Sequence, residues 1–117
     1  MTAKEKAALA IRALDSKKAL DISCTEVGEL TVLADYFVNA TATSSTQVKA
    51  LADEVEYKLD EAGISVSHIE GYRSNSWILL DYVDVIVNVF SDEAREFYDL
   101  DRLWQDGKPV DLTGIVD

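Results

Sequence analysis

Two groups of side chains have the types and spacing to do chemistry. Ser44 and Ser45 sit in a small, polar turn, Ala42-Thr43-Ser44-Ser45-Thr46-Gln47, ahead of a helical pattern, and Asp81 and Asp84 stand three residues apart. A hydroxyl-rich turn at a helix start and a carboxylate pair are parts of a metal-assisted nucleotidyl transfer site, in which backbone N–H groups hold phosphate and carboxylates hold the cation. The parts are incomplete. A phosphate cradle uses glycines so that the backbone can approach the phosphate, and this turn has none. Asp81 and Asp84 flank a turn, where aspartates commonly hydrogen-bond their own backbone. Cys24 is the only cysteine and His68 the only histidine, so one chain holds neither a Cys/His zinc cage nor an internal disulfide. Cys24 falls on the apolar side of an alternating segment and reads as packing, and His68 has no serine or carboxylate at motif spacing. The residues favour a protein without catalytic activity, cofactor or metal. The alternative is an enzyme of the nucleotidyltransferase kind using Asp81, Asp84 and the Ser44-Ser45 turn.

A different chemistry, that of surface recognition, is offered by residues 77–90. Two runs rich in Ile, Val and aromatic residues, Trp77 to Leu80 and Val85 to Phe90, flank the segment Asp81 to Asp84. Their length and β-branching predict a hairpin. Both runs are almost continuously apolar, so both faces need cover: the chain's own helices on one side, a second layer or a partner on the other. Alternation puts Ile78 and Leu80 on one face and Trp77, Leu79 and Asp81 on the other. With Ile78 and Leu80 toward the helices, Trp77 and Leu79 form an outward patch rimmed by Glu70, Asp81, Tyr82 and Asp84. Aromatic anchors inside an acidic rim suit docking onto a basic protein.

The elements that must position this patch are legible in order. Thr2 to Glu5 has the form of a capping box opening a helix to about Asp15, with Ala7, Ile11 and Leu14 on one face. Leu20, Ile22 and Cys24 alternate with polar residues as a strand, and Tyr36 to Thr41 reads as a second. Ser44 and Gln47 start a helix whose stripe of Val48, Leu51, Ala52, Val55 and Leu59 runs until Gly63 stops it. Ile64 to Glu70 reads as a third strand, followed by the hairpin, and Ser91 caps a last short helix. The order αββαβββα predicts an α/β (α+β) domain with a mixed sheet of about five strands flanked by helices. Strand two, helix two and strand three are compatible with a right-handed βαβ crossover. All 117 residues are expected to form one domain, with a compact core over about 2–104 and a less ordered tail over 105–117.

Composition narrows the partners. Hydrophobic residues make up 48% of the chain, enough for a self-sufficient core, and the net charge of −11 sets 22 acids against 11 bases. Direct nucleic-acid binding needs clustered Lys and Arg and is not expected, whereas a basic protein would be steered toward this surface. No basic start with an apolar run and no stretch of ~18 apolar residues is present, so a soluble, cytoplasmic protein is expected.

Several separated motifs occur together: Asp35-Tyr36-Phe37-Val38, the run from Ala40 through Ser44-Ser45 and Gln47-Val48-Lys49 to Ala50, Glu70-Gly71, Trp77-Ile78-Leu79-Leu80-Asp81-Tyr82, Val89-Phe90, Arg95-Glu96-Phe97-Tyr98 and Leu103-Trp104. In this order they resemble the ribosomal silencing factor family, the RsfS, YbeB or iojap group, over nearly the whole chain. The resemblance implies a nonenzymatic factor that binds the large ribosomal subunit through its basic protein L fourteen, blocks joining of the small subunit and damps translation when nutrients are scarce. It further implies a fold similar to nucleotidyltransferases without their catalytic residues, and a homodimer when free. Four positions depart from the family pattern: Ala42 where Gly is common, Thr46 where Arg is common, Val83 where Gly is usual and Asn88 where His is usual. Because a β-branched residue resists positive φ, Val83 is expected to change the type of the hairpin turn.

Overall fold

The first helix, α1 (Ala3–Ser16), opens on a complete capping box: the Thr2 hydroxyl accepts from the Glu5 N–H at 3.1 Å and the Glu5 carboxylate accepts from the Thr2 N–H at 3.0 Å. The computed structural model describes residues 1–73 and 76–115. Ala7, Ala10, Ile11, Ala13 and Leu14 are buried, and the alanines let α1 lie close against the sheet. Strands β1 (Leu20–Glu26) and β2 (Tyr36–Thr41) follow, then α2 (Ser45–Glu61) with Ser44 as N-cap. Gly63 ends that region at φ 85°, a left-handed conformation open to glycine without steric cost. The remaining elements are β3 (His68–Glu70), β4 (Trp77–Asp81), β5 (Val85–Phe90), α3 (Asp92–Tyr98), α4 (Leu100–Leu103) and β6 (Lys108–Pro109).

The sheet has six strands in the order β3-β4-β5-β2-β1-β6, with β2 and β5 parallel and every other neighbouring pair antiparallel. Two antiparallel steps separate β5 from β3, so β3 runs parallel to β2 and the β2-α2-β3 connection crosses over β5 and β4 to the sheet edge. The third strand is shorter than the alternation of Ile64 to Glu70 suggests. Its pairing begins at His68, opposite Asp81, where β4 ends, and upstream of it the Ser67 N–H donates to the Asp81 carbonyl at 2.8 Å. Ile64 and Val66 nonetheless pack against the core.

Residues 107–115 return to the sheet. Lys108–Pro109 pairs with Thr25 and Glu26, the Val110 N–H donates to the Cys24 carbonyl at 2.9 Å, and Val110, Leu112 and Ile115 pack against the core. Gly107 makes this approach possible: a Cβ there would stand 2.4 Å from Thr25 Cγ2 and 2.9 Å from the Glu26 carbonyl oxygen. This adds a sixth strand to the five expected.

Alternation sorts the strands into two faces. Val38, Ala40, Ile78, Leu80, Val85, Val87 and Val89 join the buried residues of α1 and α2 in one main core. The opposite face carries a smaller cluster of Val27, Ala34 and Phe37 with Ile86 and Trp104. Among the described helices, the short α3 and α4 lie over it, and their one buried residue is Ala94. No helix among the described residues is long and apolar enough to cross a membrane.

Candidate functional site

On that thinly covered face, strand register sets side chains in rows. Trp77 lies opposite Phe90, which lies beside Thr41; Leu79 lies opposite Asn88, which lies beside Asn39 and then Ser23. Trp77 is half-buried. Its ring stacks on Phe90 at 5.3 Å between centroids and tilts against Tyr98 of α3 at 4.7 Å, and Phe97 meets Tyr98 edge-on at 5.1 Å. Phe97 is 81% exposed and Tyr98 48%, so an aromatic surface continues from β4 onto α3. Glu70, Gly71, Trp77 and Leu79 line a shallow hollow of ≈ 200 Å³. The register places Glu70 directly opposite Leu79 and His68 opposite Asp81. The His68 ring stands 3.1 Å from the Glu70 carboxylate, both exposed.

The six residues expected to form the patch therefore separate. Glu70, Trp77, Leu79 and Asp81 share the open face. Asp84 does not: its carboxylate accepts from Lys6 Nζ of α1 at 2.9 Å, which ties the hairpin to the helices on the other side of the sheet. Its carbonyl also accepts from the Asp35 and Tyr36 N–H groups, holding the turn to the start of β2. Tyr82 lies in the core, 2% exposed, and so is not part of the rim. It continues the Ile78 and Leu80 alternation toward α1 and α2. Burial pushes its phenol pKa up, and the charges of Glu56 and Asp60 add to the effect; its hydroxyl has no hydrogen-bond partner among the described residues.

Val83 does not take the hairpin turn away from positive φ; it sits at φ 76°, with the Asp84 N–H donating to the Tyr82 carbonyl at 3.0 Å. This is a γ-turn of the strained, positive-φ form. It is held by Asp81, whose Oδ1 accepts from the Val83 N–H at 2.7 Å, and by the Tyr82 N–H donating to the Val85 carbonyl at 2.9 Å. Two outer ties thus impose a conformation the side chain resists.

The parts of a transfer site do not meet. Ser44-Ser45 follows the C-terminal end of β2, whereas Asp84 is bonded to its first residue, Tyr36. At ~3.3 Å per residue the two groups are separated by roughly 17 Å of strand. The turn's own donors are also engaged: the Ser44 hydroxyl caps α2 by accepting from the Gln47 N–H at 3.2 Å, and the Thr43 N–H donates to Gln47 Oε1. Asp92 and Glu93 line a second hollow together with Ser44 and Ser45, a charge unsuited to phosphate. No three His, Cys, Asp or Glu residues among those described converge to hold a metal ion.

The structure brings in four residues not singled out from the sequence for this site. Trp77 Nε1 donates to Asn88 Oδ1 at 3.0 Å, and Asn88 Nδ2 donates to Asn39 Oδ1 at 3.1 Å. Asn39 Nδ2 reaches Asp101 Oδ1 at 3.4 Å, and Arg95 grips the same carboxylate with Nε to Oδ2 at 3.0 Å and Nη2 to Oδ1 at 3.1 Å. Burial acts to raise the Asp101 pKa, but hydrogen bonds and charge from Arg95, with help from Asn39 and Ser23, outweigh it and hold the group below its ordinary 3.8. The signal was present. Asn39 and Asn88 each interrupt an apolar strand, and a buried amide in such a place must be hydrogen-bonded.

The geometry defines an open, mixed α/β domain with an aromatic surface on one sheet face. The same architecture is seen in a crystal structure of a protein from Chromobacterium violaceum, which is 41% identical, matches with a TM-score of 0.87, and aligns over 90% of this chain and 88% of that one. The family described as "Ribosomal silencing factor during starvation" matches residues 1–117. The ribosomal silencing factors RsfS of Chromobacterium violaceum and Halalkalibacterium halodurans are 41% and 35% identical over 116 residues, spanning 99% of this chain and 95% and 99% of theirs. The chain belongs to the ribosomal silencing factor family, a family of translation regulators.

Proposed function

We propose that this protein binds the large ribosomal subunit through its basic protein L fourteen and prevents the small subunit from joining. The reading is carried by one observation: in a chain that matches the silencing factor family over its full length, Trp77 and Leu79 line a hollow with Glu70 on the sheet face that α1 and α2 leave open. The apolar pair Trp77 and Leu79 supplies desolvated contact, and Glu70 and Asp81, in a domain of net charge −11, supply complementarity to a basic partner. Repression follows from occupancy. Joining two large bodies requires their facing surfaces to be bare, so a small domain seated there blocks it without any bond being made or broken. The protein acts in the cytoplasm without cofactor, and a dimer formed through the same patch has to open before docking.

The test is co-sedimentation with separated subunits alongside a subunit-joining assay. Selective pelleting with the large subunit and a lowered yield of joined ribosomes are expected. Trp77→Ala should weaken binding by about 2 kcal/mol or more, roughly 30-fold, in protein shown by circular dichroism to be folded. Glu70→Gln should chiefly slow association. Failure of the wild-type protein to pellet with either subunit sinks the proposal.

A further inference from the structure

The docking surface is built from two elements that have little reason to stay together. Trp77 belongs to β4, the second strand from the edge of the sheet, while Tyr98 and Phe97 belong to α3, a helix of seven residues that buries only Ala94. So little buried apolar area does not fix a short helix at a set distance from a neighbouring ring. The polar groups beneath it do. Arg95 of α3 spreads its guanidinium over the sheet: besides the two bonds to Asp101, Nη1 donates to Thr41 Oγ1 at 3.0 Å and to the Asp21 carbonyl, and Nη2 reaches Ser23 Oγ at 3.3 Å. Asp99, at φ 48°, turns the chain after Tyr98 so that Asp101 folds back onto Arg95.

From Asp101 the bonds run on through Asn39 and Asn88 to the Trp77 indole, and their direction is fixed by the two ends. An indole N–H can only donate and a carboxylate can only accept. Each amide between them must then present oxygen toward Trp77 and nitrogen toward Asp101, which is the arrangement found. A chain with one allowed polarity and bonds between buried amides holds its terminal ring in one orientation.

We propose that Asn88, Asn39, Asp101 and Arg95 are positioning residues for partner docking, locking Trp77 of β4 and Tyr98 of α3 into one rigid aromatic platform. The role rests on the docking function proposed above, and it makes a distinct claim about the free protein: the Trp77 indole is immobilised before any partner arrives. Preorganisation of this kind lowers the cost of ordering side chains at an interface and shows mainly in dissociation.

The decisive variant is Asn39→Leu with Asn88→Leu. Replacing both members of a buried hydrogen-bonded pair by apolar groups of similar shape can leave stability nearly unchanged, whereas replacing one strands the other. Two readouts are taken on protein with a cooperative thermal transition: exchange of the Trp77 indole N–H with solvent by NMR, assigned against Trp104→Phe, and dissociation from the large subunit. About tenfold faster exchange and about tenfold faster dissociation are expected, the tenfold change corresponding to about 1.4 kcal/mol. Wild-type exchange in the folded double variant overturns the relay. Faster exchange with wild-type dissociation overturns its docking role. If the double variant does not fold, Asp101→Ala, which removes the acceptor of the Asn39 amide at a partly exposed site, takes its place in both measurements: wild-type exchange there overturns the relay, and faster exchange with wild-type dissociation overturns the docking role. If the wild-type protein binds no subunit, the docking role falls with the function on which it rests, while indole exchange still reports whether the relay holds Trp77.

Discussion

Replacing Val83 by glycine should make this protein more stable, although the substitution removes a side chain and loosens the unfolded chain. Val83 holds φ 76° in a γ-turn closed by a 3.0 Å bond from the Asp84 N–H to the Tyr82 carbonyl. A non-glycine residue held in such a region costs about 1–3 kcal/mol. The side chain returns little of this, because it is 68% exposed. Against the relief stands the extra backbone freedom of glycine in the unfolded state, about 0.5–1 kcal/mol. The net gain is therefore about 1 kcal/mol, inside bounds of about 0–2.5 kcal/mol. For a domain of this size, 1 kcal/mol moves the midpoint by about 3–5 °C, so Val83→Gly should melt about 3–5 °C higher. Val83→Ala, which keeps Cβ but loses the branch, should fall between the two. Thermal and urea unfolding followed by circular dichroism and Trp fluorescence provide the assay, with coincident transitions as the two-state check. An unchanged or lower midpoint for Val83→Gly, at an unchanged urea slope, would refute the claim that the turn is strained.

Burial, with a smaller contribution from Glu26, pushes the Cys24 thiol up to about 12; a thiol reagent at pH 8 should leave the folded protein unmodified and react fully in guanidinium, and rapid labelling of native protein would contradict this. Asp101 is held below its ordinary 3.8 in the folded state, so its contribution to stability is complete above the unfolded value and is lost as pH falls below about 4. Urea midpoints measured down through that window should drop less steeply for Asp101→Asn than for the wild type, and equal slopes would exclude the Arg95 contact as the cause. Gly107→Ala should overpack the contact with Thr25 and Glu26 and cost about 1–3 kcal/mol. Hydrogen exchange should then accelerate at the Val110 amide, and a protected Val110 in that variant would show that β6 tolerates the extra carbon.

What the sequence determined by itself is local. The Thr2 and Ser44 caps, the α2 stripe ending at Gly63, and the hairpin with Ile78 and Leu80 toward the helices all follow from interactions within a few residues or from the two-residue period of a strand. The family could also be read from motifs, because these are linear. Tertiary structure decided what depends on where strand ends fall relative to one another. It shortened β3 because β4 stops at Asp81, and it paired β6 with β1 because Gly107 lets the backbones approach. It sent Asp84 to Lys6, because the turn carries it past the end of β4; Tyr82 in the core, by contrast, simply extends the Ile78 and Leu80 alternation by one step. It kept the Ser44 turn and the aspartates at opposite ends of the sheet, a separation no spacing along the chain reveals. The relay from Trp77 to Arg95 is of the same kind. Asn39 and Asn88 announce a buried amide each, but only a parallel register placing them side by side, with α3 folded over them, turns two isolated polar residues into one continuous set of hydrogen bonds.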